Sequence, residues 1–343
     1  MKVGILTGGG DCPGLNAVLR AFVLRGVAKH GFEVLGLLDG WKGLVAARTR
    51  PLTPADVRDL VSVGGTVLGT SRTNPYKKPE DIEAARAQWK SLGLDALVAV
   101  GGEDTLGVAH RLAQENYNLV GVPKTIDNDL NATDYTFGFD SAVNVAMECV
   151  DRVRTTAASH HRTIVIEVMG RHAGWIAAHV GIASGAHATL LPEYPADVER
   201  VCETVKRRKA SGAGYSLVVV AEGVELPAGA AAGEGKPLDA FGHVRLGGVG
   251  EDLASRIEKA TGAETRSVVL GHVQRGGSPS AFDRVLGSRF GFAAADLVAA
   301  GGFGQMVSLR GTAIVPVPLA SGVAALKTVD AALYEVMQGL EGS

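Results

Sequence analysis

The chain has 343 residues, of which 46% are hydrophobic and 20% are charged, a balance typical of soluble globular proteins. That length suffices for two domains, or one large one, each with its own core. The 34 basic and 36 acidic residues give a net charge of −2, so the basic excess usual in nucleic-acid-binding proteins is missing. No run approaches the roughly 18 apolar residues of a membrane span. We therefore expect no nucleic-acid partner and no membrane insertion.

Short apolar runs alternate along the chain with amphipathic segments. The predicted strands are 3–6, 33–38, 96–100, 119–122, 163–168 and 217–221. The predicted helices are 15–29, 79–91, 105–116, 141–157, 173–183, 196–210 and 282–300. Pro54 and Pro79 suit the first turn of a helix, whereas residues 226–247, rich in glycine and alanine, predict an irregular loop of unassigned role. The alternation predicts an α/β fold with mainly parallel sheets.

The cysteines and the first residues indicate the compartment. Cys12, Cys149 and Cys202 are far apart and lack the spacing of a metal site. A sparse, odd set of cysteines is typical of a reducing cytosol. Met1 leads directly into the first predicted strand, which leaves no room for a signal peptide. We therefore expect a cytoplasmic protein.

A glycine-rich turn, TGGGDCPG at residues 7–14, follows the first predicted strand and precedes a helix. In open α/β sheets ligands bind beyond the carboxyl ends of the strands, and free N–H groups at a helix start favour anions. Pro13 stands where a dinucleotide fingerprint requires glycine, and the chain has no Walker-type P-loop. The turn therefore predicts either a phosphate site or a tight turn without a ligand.

Two neighbouring predicted strands end in carboxylates, within GGEDT at 101–105 and PKTIDND at 123–129. The charged residues there are Glu103, Asp104, Lys124, Asp127 and Asp129. In an extended loop Asp127 and Asp129 would face the same side. Such carboxylates hold Mg²⁺ together with water and phosphate, and one can act as a general base. The alternatives are a polar turn at 127–129 and a helix cap at Asp104.

Arginines are the third group of residues in the predicted site, after the glycine-rich turn and the carboxylates at the strand ends. Those in or beside predicted loops and strand edges are Arg72, Arg162, Arg171, Arg266 and Arg275. Guanidinium groups bind phosphate through two parallel hydrogen bonds, so arginines that converge on a cleft predict a phosphorylated substrate. A single arginine is more often a solvated surface residue, so this prediction depends on convergence.

Five segments are similar to motifs of one known family: GGGDCPGLN at 8–16, GGEDT at 101–105, PKTIDND at 123–129, EVMGR at 167–171 and LGHVQRGG at 270–277. In this order, over residues 3–300, they resemble the 6-phosphofructokinase family. The resemblance implies two Rossmann-like three-layer α/β/α domains with the active site in the cleft between them. Residues 1–138 and 274–324 would form the phosphoryl-donor domain, and residues 139–273 and 325–343 the sugar-phosphate domain.

The resemblance also implies the reaction, a glycolytic phosphoryl transfer to the 1-hydroxyl of fructose 6-phosphate, which gives fructose 1,6-bisphosphate and uses Mg²⁺. The catalytic residues would be Asp127 as general base with Arg171, Thr125 and Lys124. The donor would be bound by Gly10, Arg72, Gly102, Asp104 and Lys124. The sugar phosphate would be bound by Thr125, Asp127, Asp129, Arg162, Met169, Gly170, Arg171, Glu222, Arg266, His272 and Arg275. Glu103 and Asp129 would hold the metal. Arg162 and Arg266 would complete a neighbouring subunit's site, which implies a homo-oligomer, either a dimer or a tetramer.

Within this resemblance, Asp104 and Lys124 favour pyrophosphate over ATP as the donor. ATP-using members typically have glycine at the position of Asp104, because the nucleotide passes close to that backbone. Like charges ~4 Å apart repel by ~4 kcal/mol at an effective dielectric constant of about 20. Lys124 can reach the terminal phosphate that pyrophosphate offers. The sequence thus resembles the pyrophosphate-dependent branch, a diphosphate–fructose-6-phosphate 1-phosphotransferase. The alternatives are an ATP-dependent enzyme of the same fold and a non-catalytic sugar-phosphate-binding protein.

Overall fold

The computed structural model describes residues 1–227 and 247–341, so most of the predicted loop 226–247 lies outside the described residues. The strands are β1 (Lys2–Thr7), β2 (Glu33–Leu37), β3 (Thr49–Leu52), β4 (Ala96–Gly101), β5 (Leu119–Thr125), β6 (Phe137–Gly138), β7 (Thr163–Val168), β8 (Ala188–Leu190), β9 (Ser216–Ala221), β10 (Thr265–Val269), β11 (Gln305–Arg310) and β12 (Ala313–Pro318). The α-helices are α1 (Leu15–His30), α2 (Trp41–Val45), α3 (Pro54–Val57), α4 (Pro79–Ser91), α5 (Glu103–Gln114), α6 (Phe139–His160), α7 (Trp175–Ser184), α8 (Val198–Ala210), α9 (Val249–Thr261), α10 (Ala281–Ala299), α11 (Leu319–Val323) and α12 (Ala331–Leu340). Short 3-10 turns cover Pro75–Lys77 and Gly271–Arg275.

Each strand and helix predicted from the sequence forms, with ends that shift by at most three residues. Pro54 and Pro79 are the first residues of α3 and α4, as expected of prolines that start helices. The prediction of an α/β fold with mainly parallel sheets is confirmed. The hydrophobic patterns of β11, β12 and α12 near the C-terminus are weaker, and the sequence predicts no strand or helix there.

The described chain forms two compact units, and the first comprises Met1–Ile126, Leu130–Ser141 and Arg275–Leu326. Its sheet has the order β12-β11-β5-β4-β1-β2-β3, with β6 beside β5. The central strands are parallel and buried on both faces, whereas β12 and β3 pair antiparallel at the two edges. The edge strands contain proline, Pro51 in β3 and both Pro316 and Pro318 in β12. Helices α1 and α10 pack against each other.

The second unit comprises Asp127–Asp129, Ala142–Gln274 and Lys327–Ser343. Its sheet has the order β10-β7-β9-β8, and every pair of neighbours is parallel. The central strands β7 (TIVIEV) and β9 (SLVVVA) are buried throughout, because β-branched residues fill both faces. Strands β10 (TRSVV) and β8 (ATL) form the edges and contain no proline.

The three thiols are free: Cys12 and Cys202 are buried, and Cys149 is partly exposed. Burial raises the pKa of the Cys12 thiol to about 12, although the charge of Lys124 lowers it. Cys12 therefore stays protonated near neutral pH and is a packing residue rather than a nucleophile. No helix in the described ranges has the length and apolar character that crossing a membrane requires.

Candidate active site

The glycine-rich loop after β1 is fixed by its own main chain. The Gly8 N–H donates to the Val100 carbonyl oxygen at 2.9 Å, and the Gly9 N–H donates to that of Ser71 at 3.1 Å. Gly14 starts α1 with φ of 105°, and a Cβ there would lie 2.8 Å from the Phe137 ring. Glycine is needed at this position both for its left-handed backbone and for lack of space.

Two cations approach the carbonyl oxygens of this loop. Lys124 is 3% exposed, and its ammonium donates to the Gly10 carbonyl oxygen. The Arg275 Nη1 donates to the Asp11 carbonyl oxygen at 3.2 Å. A Cβ on Gly10 would lie 2.6 Å from that nitrogen, so the guanidinium comes this close because residue 10 has no side chain. The glycine-rich loop, which contains the predicted donor-binding residue Gly10, is therefore flanked by two positive charges. The resemblance assigns Arg275 to the sugar phosphate, whereas here its guanidinium contacts the donor loop.

The end of β4 leads directly into α5, which begins at Glu103 and not at residue 105 as predicted. Gly102 is the N-cap and makes no side-chain cap bond, while Glu103 and Asp104 occupy the first turn and are exposed. Asp104 therefore does not occupy the cap position. Carboxylates in the first turn are favoured by the positive end of the helix dipole, which explains the early start of α5. Both carboxylates are accessible to a cation.

The segment at 123–129 differs from its prediction in two respects. Strand β5 continues to Thr125, so Lys124 lies in the strand. Asn128 has φ of 51°, in the left-handed region, so the segment is not extended. The prediction of an extended loop is therefore wrong, so alternation along an extended chain no longer places Asp127 and Asp129 on the same side. Asp127 is 4% exposed, whereas Asp129 is partly exposed, and the two carboxylates have different environments.

In the second unit, the loop after β7 brings several predicted residues together. Arg171 has φ of 52°, and its N–H donates to the Glu222 Oε1 at 3.1 Å. The Glu222 N–H donates to the Val168 carbonyl oxygen at 2.8 Å. Burial raises the pKa of Glu222, and the charge of Asp127 raises it further, while the Arg171 N–H lowers it. Met169 and Gly170 are buried beside this loop. Glu222 thus positions the Arg171 loop through a main-chain bond.

Arg162 and Arg266 share one carboxylate in the second unit. Glu264 Oε1 lies 2.8 Å from the Arg162 Nη2 and 2.7 Å from the Arg266 Nη2. Their closeness follows from the pairing of β7 with β10, in which Arg266 lies opposite Ile164. The hydrogen bond from Arg162 is the main cause of the lowered pKa of Glu264. Two predicted phosphate ligands are therefore held side by side. His272 in the second unit and Arg72 in the first are exposed.

Sequence reasoning missed Asp283, which lies in the first unit next to the glycine-rich loop. Its Oδ2 accepts from the Ser141 N–H at 2.8 Å and from the Ser141 hydroxyl at 2.6 Å. Burial raises the pKa of Asp283 to about 6, although the bonds from Ser141 lower it. The sequence contains a signal for this helix start, because a serine three residues before an aspartate is typical of helix N-termini. In the structure Ser280 caps α10 by accepting from the Asp283 N–H.

Glycine, lysine, arginine and carboxylates at the carboxyl ends of parallel strands are features of an α/β protein that binds phosphorylated ligands. A protein-family model described as phosphofructokinase matches residues 2–298 of this chain. The chain is 59% identical over 337 residues to the pyrophosphate–fructose 6-phosphate 1-phosphotransferase of Streptomyces coelicolor, with 98% of each chain covered. It is 51% identical over 336 residues to the ATP-dependent 6-phosphofructokinase of Mycobacterium leprae, again with 98% of each covered.

A similar fold occurs in the crystal structure of pyrophosphate-dependent phosphofructokinase from Marinobacter aquaeolei. The TM-score is 0.81 at 23% identity, with 99% of this chain and 91% of that chain covered. The chain belongs to the phosphofructokinase family. The resemblance drawn from the five sequence motifs is thereby confirmed.

Proposed function

We propose that this protein transfers a phosphoryl group from pyrophosphate to the 1-hydroxyl of fructose 6-phosphate, giving fructose 1,6-bisphosphate and orthophosphate in a reversible reaction. The observation that carries the choice of donor is the exposed Asp104 carboxylate in the first turn of α5. A nucleotide that passed this helix start would bring its own negative phosphate against that carboxylate. The 59% identity to a relative named for pyrophosphate supports the same donor.

In the proposed mechanism, Asp127 accepts the proton of the 1-hydroxyl. The sugar oxygen then forms a bond to one phosphorus of pyrophosphate, and the bond from that phosphorus to the bridging oxygen breaks, which releases orthophosphate. Phosphoryl transfer depends mainly on positioning and on neutralising the charge of the equatorial oxygens. Lys124 and Arg171 supply positive charge, with Thr125 beside the transferred group. Asp127 supplies the proton acceptor, a role typically worth ~10²–10⁴ in rate.

The proposal assigns the two substrates to different units. Gly10, Arg72, Gly102 and Lys124 in the first unit bind pyrophosphate, and Asp104 in the same unit borders this donor site and disfavours the further phosphate of a nucleotide. The groups built around Arg171 and around Arg162 in the second unit bind the sugar phosphate, with His272. Arg275 contacts the donor loop in this structure through its Nη1, and because a guanidinium has five N–H donors, binding the sugar phosphate is compatible with this bond.

The chemistry of the two carboxylates assigned to Mg²⁺ supports this part of the proposal. Glu103 is exposed in the first turn of α5, and Asp129 is partly exposed, so both offer hard oxygen ligands. Among residues 1–227 and 247–341, no three His, Cys, Asp or Glu side chains form a ready metal cluster. Mg²⁺ usually needs only one or two carboxylates, because substrate phosphates and water complete its shell. When bound, the ion neutralises charge on the phosphates.

We also propose a cytoplasmic homo-oligomer, a dimer or a tetramer, in which Arg162 and Arg266 complete the site of a neighbouring subunit. The exposure of Arg266 on edge strand β10 supports this, since its guanidinium is accessible to another copy. Mixing Asp127→Ser subunits with Arg266→Ala subunits tests it. Hybrid oligomers should recover activity that neither variant has alone, because some sites then contain both native residues. No recovery from verified hybrids would refute sharing.

The direct test of function is an assay with fructose 6-phosphate and Mg²⁺, and either pyrophosphate or ATP as donor. We expect turnover with pyrophosphate and little with ATP. Turnover with ATP alone would support the second candidate, an ATP-dependent 6-phosphofructokinase, which the 51% identity to the Mycobacterium leprae enzyme favours. Activity with neither donor would support a sugar-phosphate-binding protein.

A further inference from the structure

Lys327 contacts the segment that contains the proposed general base, from 199 residues further along the chain. Its N–H donates to the Asp129 carbonyl oxygen at 2.8 Å. Its ammonium donates to the Asn128 Oδ1 at 3.0 Å. Asp127 and Asn128 are 4% and 1% exposed. One residue therefore holds a buried turn through both main chain and side chain, and all of these groups belong to the second unit.

Lys327 is itself held in place by the start of helix α7. Its carbonyl oxygen accepts from the Trp175 indole N–H at 2.9 Å, and its ammonium lies 5.3 Å from the centre of the indole ring, within cation–π range. Two residues on, the Val329 N–H donates to the Glu193 Oε1 at 3.0 Å. The same oxygen accepts from the Gly174 N–H at 2.8 Å. The segment 327–329 is therefore held at the start of α7 by two contacts. One is the bond from Trp175, and the other runs through Glu193 to Gly174.

The backbone of Asn128 explains why this bond matters. Its φ of 51° lies in the left-handed region, which asparagine tolerates better than most residues but which is still unfavourable. The bond from the Lys327 ammonium fixes the Asn128 amide and opposes relaxation toward an extended backbone. Relaxation at residue 128 would move the adjacent carboxylate of Asp127. A misplacement of about 1 Å in a catalytic group can lower the rate about 10²-fold.

We infer that Lys327 is a positioning residue for Asp127, acting through Asn128. The inference rests on the proposed function, in which Asp127 is the general base. Lys327 contacts the side-chain amide of Asn128 and the main chain of Asp129. The proposed proton acceptor, Asp127, is the residue preceding Asn128 in the sequence. The side chain of Lys327 thereby orients the carboxylate of Asp127. The sequence gives no sign of this role, because the lysine lies in a short connecting segment before α12.

The test uses Lys327→Met, which keeps the length of the side chain and removes the ammonium. The main-chain bond to Asp129 and the bond from Trp175 survive this change, so the fold should persist. We expect kcat to fall about 10- to 100-fold, with a change of less than about threefold in the KM for fructose 6-phosphate. Lys327→Arg, which retains a donor, should recover part of the lost kcat. Lys2→Met is the matched control, because its ammonium pairs with Glu33 at the amino-terminal end of β1, away from the site.

A double variant separates positioning from general destabilisation. Asn128→Gly keeps a backbone suited to positive φ and removes the amide that Lys327 contacts. If the two side chains act through one bond, the double variant should be no slower than the slower single variant. Falls in kcat that multiply in the double variant would overturn the inference. So would a Lys327→Met kcat within about twofold of the wild type, since positioning effects of this kind exceed that margin.

Hydrogen exchange provides a readout that does not depend on activity. Amides at 127–129 should exchange at least about tenfold faster in Lys327→Met than in wild type or Lys2→Met, because a lost anchor raises local opening. Unchanged exchange would overturn the inference even if the wild type proved inactive. A wild type inactive with both donors but with the expected change in exchange would refute the proposed reaction and leave the anchoring by Lys327 supported.

Discussion

Replacing Asp283 by asparagine should change how the stability of the protein depends on pH. Asp283 is fully buried, and its Oδ2 accepts two hydrogen bonds from Ser141. The other carboxylate oxygen, Oδ1, makes no well-formed hydrogen bond within the described residues, although the Gly138 N–H also favours the ionised form. An ionised carboxylate is therefore incompletely compensated at this site, and burial raises its pKa from 3.8 to about 6.

The magnitude and sign follow from this shift. A shift of about two pKa units corresponds to about 3 kcal/mol, at ~1.36 kcal/mol per unit. Because the folded-state pKa is raised, the stabilising contribution of Asp283 is fully present below its unfolded pKa and is lost as pH rises through about 6. The wild type should therefore lose about 3 kcal/mol relative to Asp283→Asn between about pH 4 and about pH 7.

Urea unfolding of both proteins across this pH range measures the difference directly. Asp296→Asn on the same helix α10 is the matched control. Hydrogen bonding from Arg25 lowers the pKa of Asp296, so its contribution is present at neutral pH and is lost only on acidification. A difference between wild type and Asp283→Asn that stays constant from about pH 4 to about pH 7 would refute the reasoning, since linkage then requires equal pKa values in both states.

Four further predictions concern single substitutions, two of them in the site and two at glycines. Asp127→Ser should lower kcat about 10²- to 10⁴-fold and change sugar-phosphate affinity much less, and near-normal turnover would contradict its role as base. Asp104→Gly should admit measurable use of ATP; unchanged donor preference in an otherwise active variant would argue against the donor assignment. Gly223→Ala would place a methyl group 1.9 Å from the Arg171 carbonyl oxygen, so chemical unfolding should show a loss of about 1–3 kcal/mol. Gly107→Ala, in α5 with no atom within 4 Å of the added methyl group, should instead gain about 0.5–1 kcal/mol.

The strong patterns of the sequence predicted most of the fold. Strands such as β7 and β9 are continuous apolar runs, and parallel strands buried on both faces have that pattern. The edge strand β12 (AIVPVP) was missed, because its two prolines argue against a strand although an antiparallel edge tolerates them. Strand β8 has only three residues, too few to show a period.

The candidate site was predictable in its chemistry but not in its geometry. The charged residues at the ends of β4 and β5 were identifiable, because parallel strands bring their carboxyl ends to the same edge. The left-handed backbone of Asn128 was not, since asparagine is compatible with several conformations. Nor was the contact of Lys327 with Asn128, because a bond between residues 199 positions apart depends on the tertiary fold.

The prolines at the edges of the eight-stranded sheet have a consequence for self-association. A strand edge with unpaired N–H and C=O groups is a template on which a second chain can add a strand. Proline removes donors from such an edge, and Pro51 on one side and Pro316 and Pro318 on the other interrupt it. Continuous sheets across subunits are therefore disfavoured at both borders of the first unit. Edge-to-edge pairing, the kind of growth that leads to fibrils, should therefore be disfavoured at the two edges of this sheet, whereas the proline-free edges β8 and β10 of the second unit lack that protection.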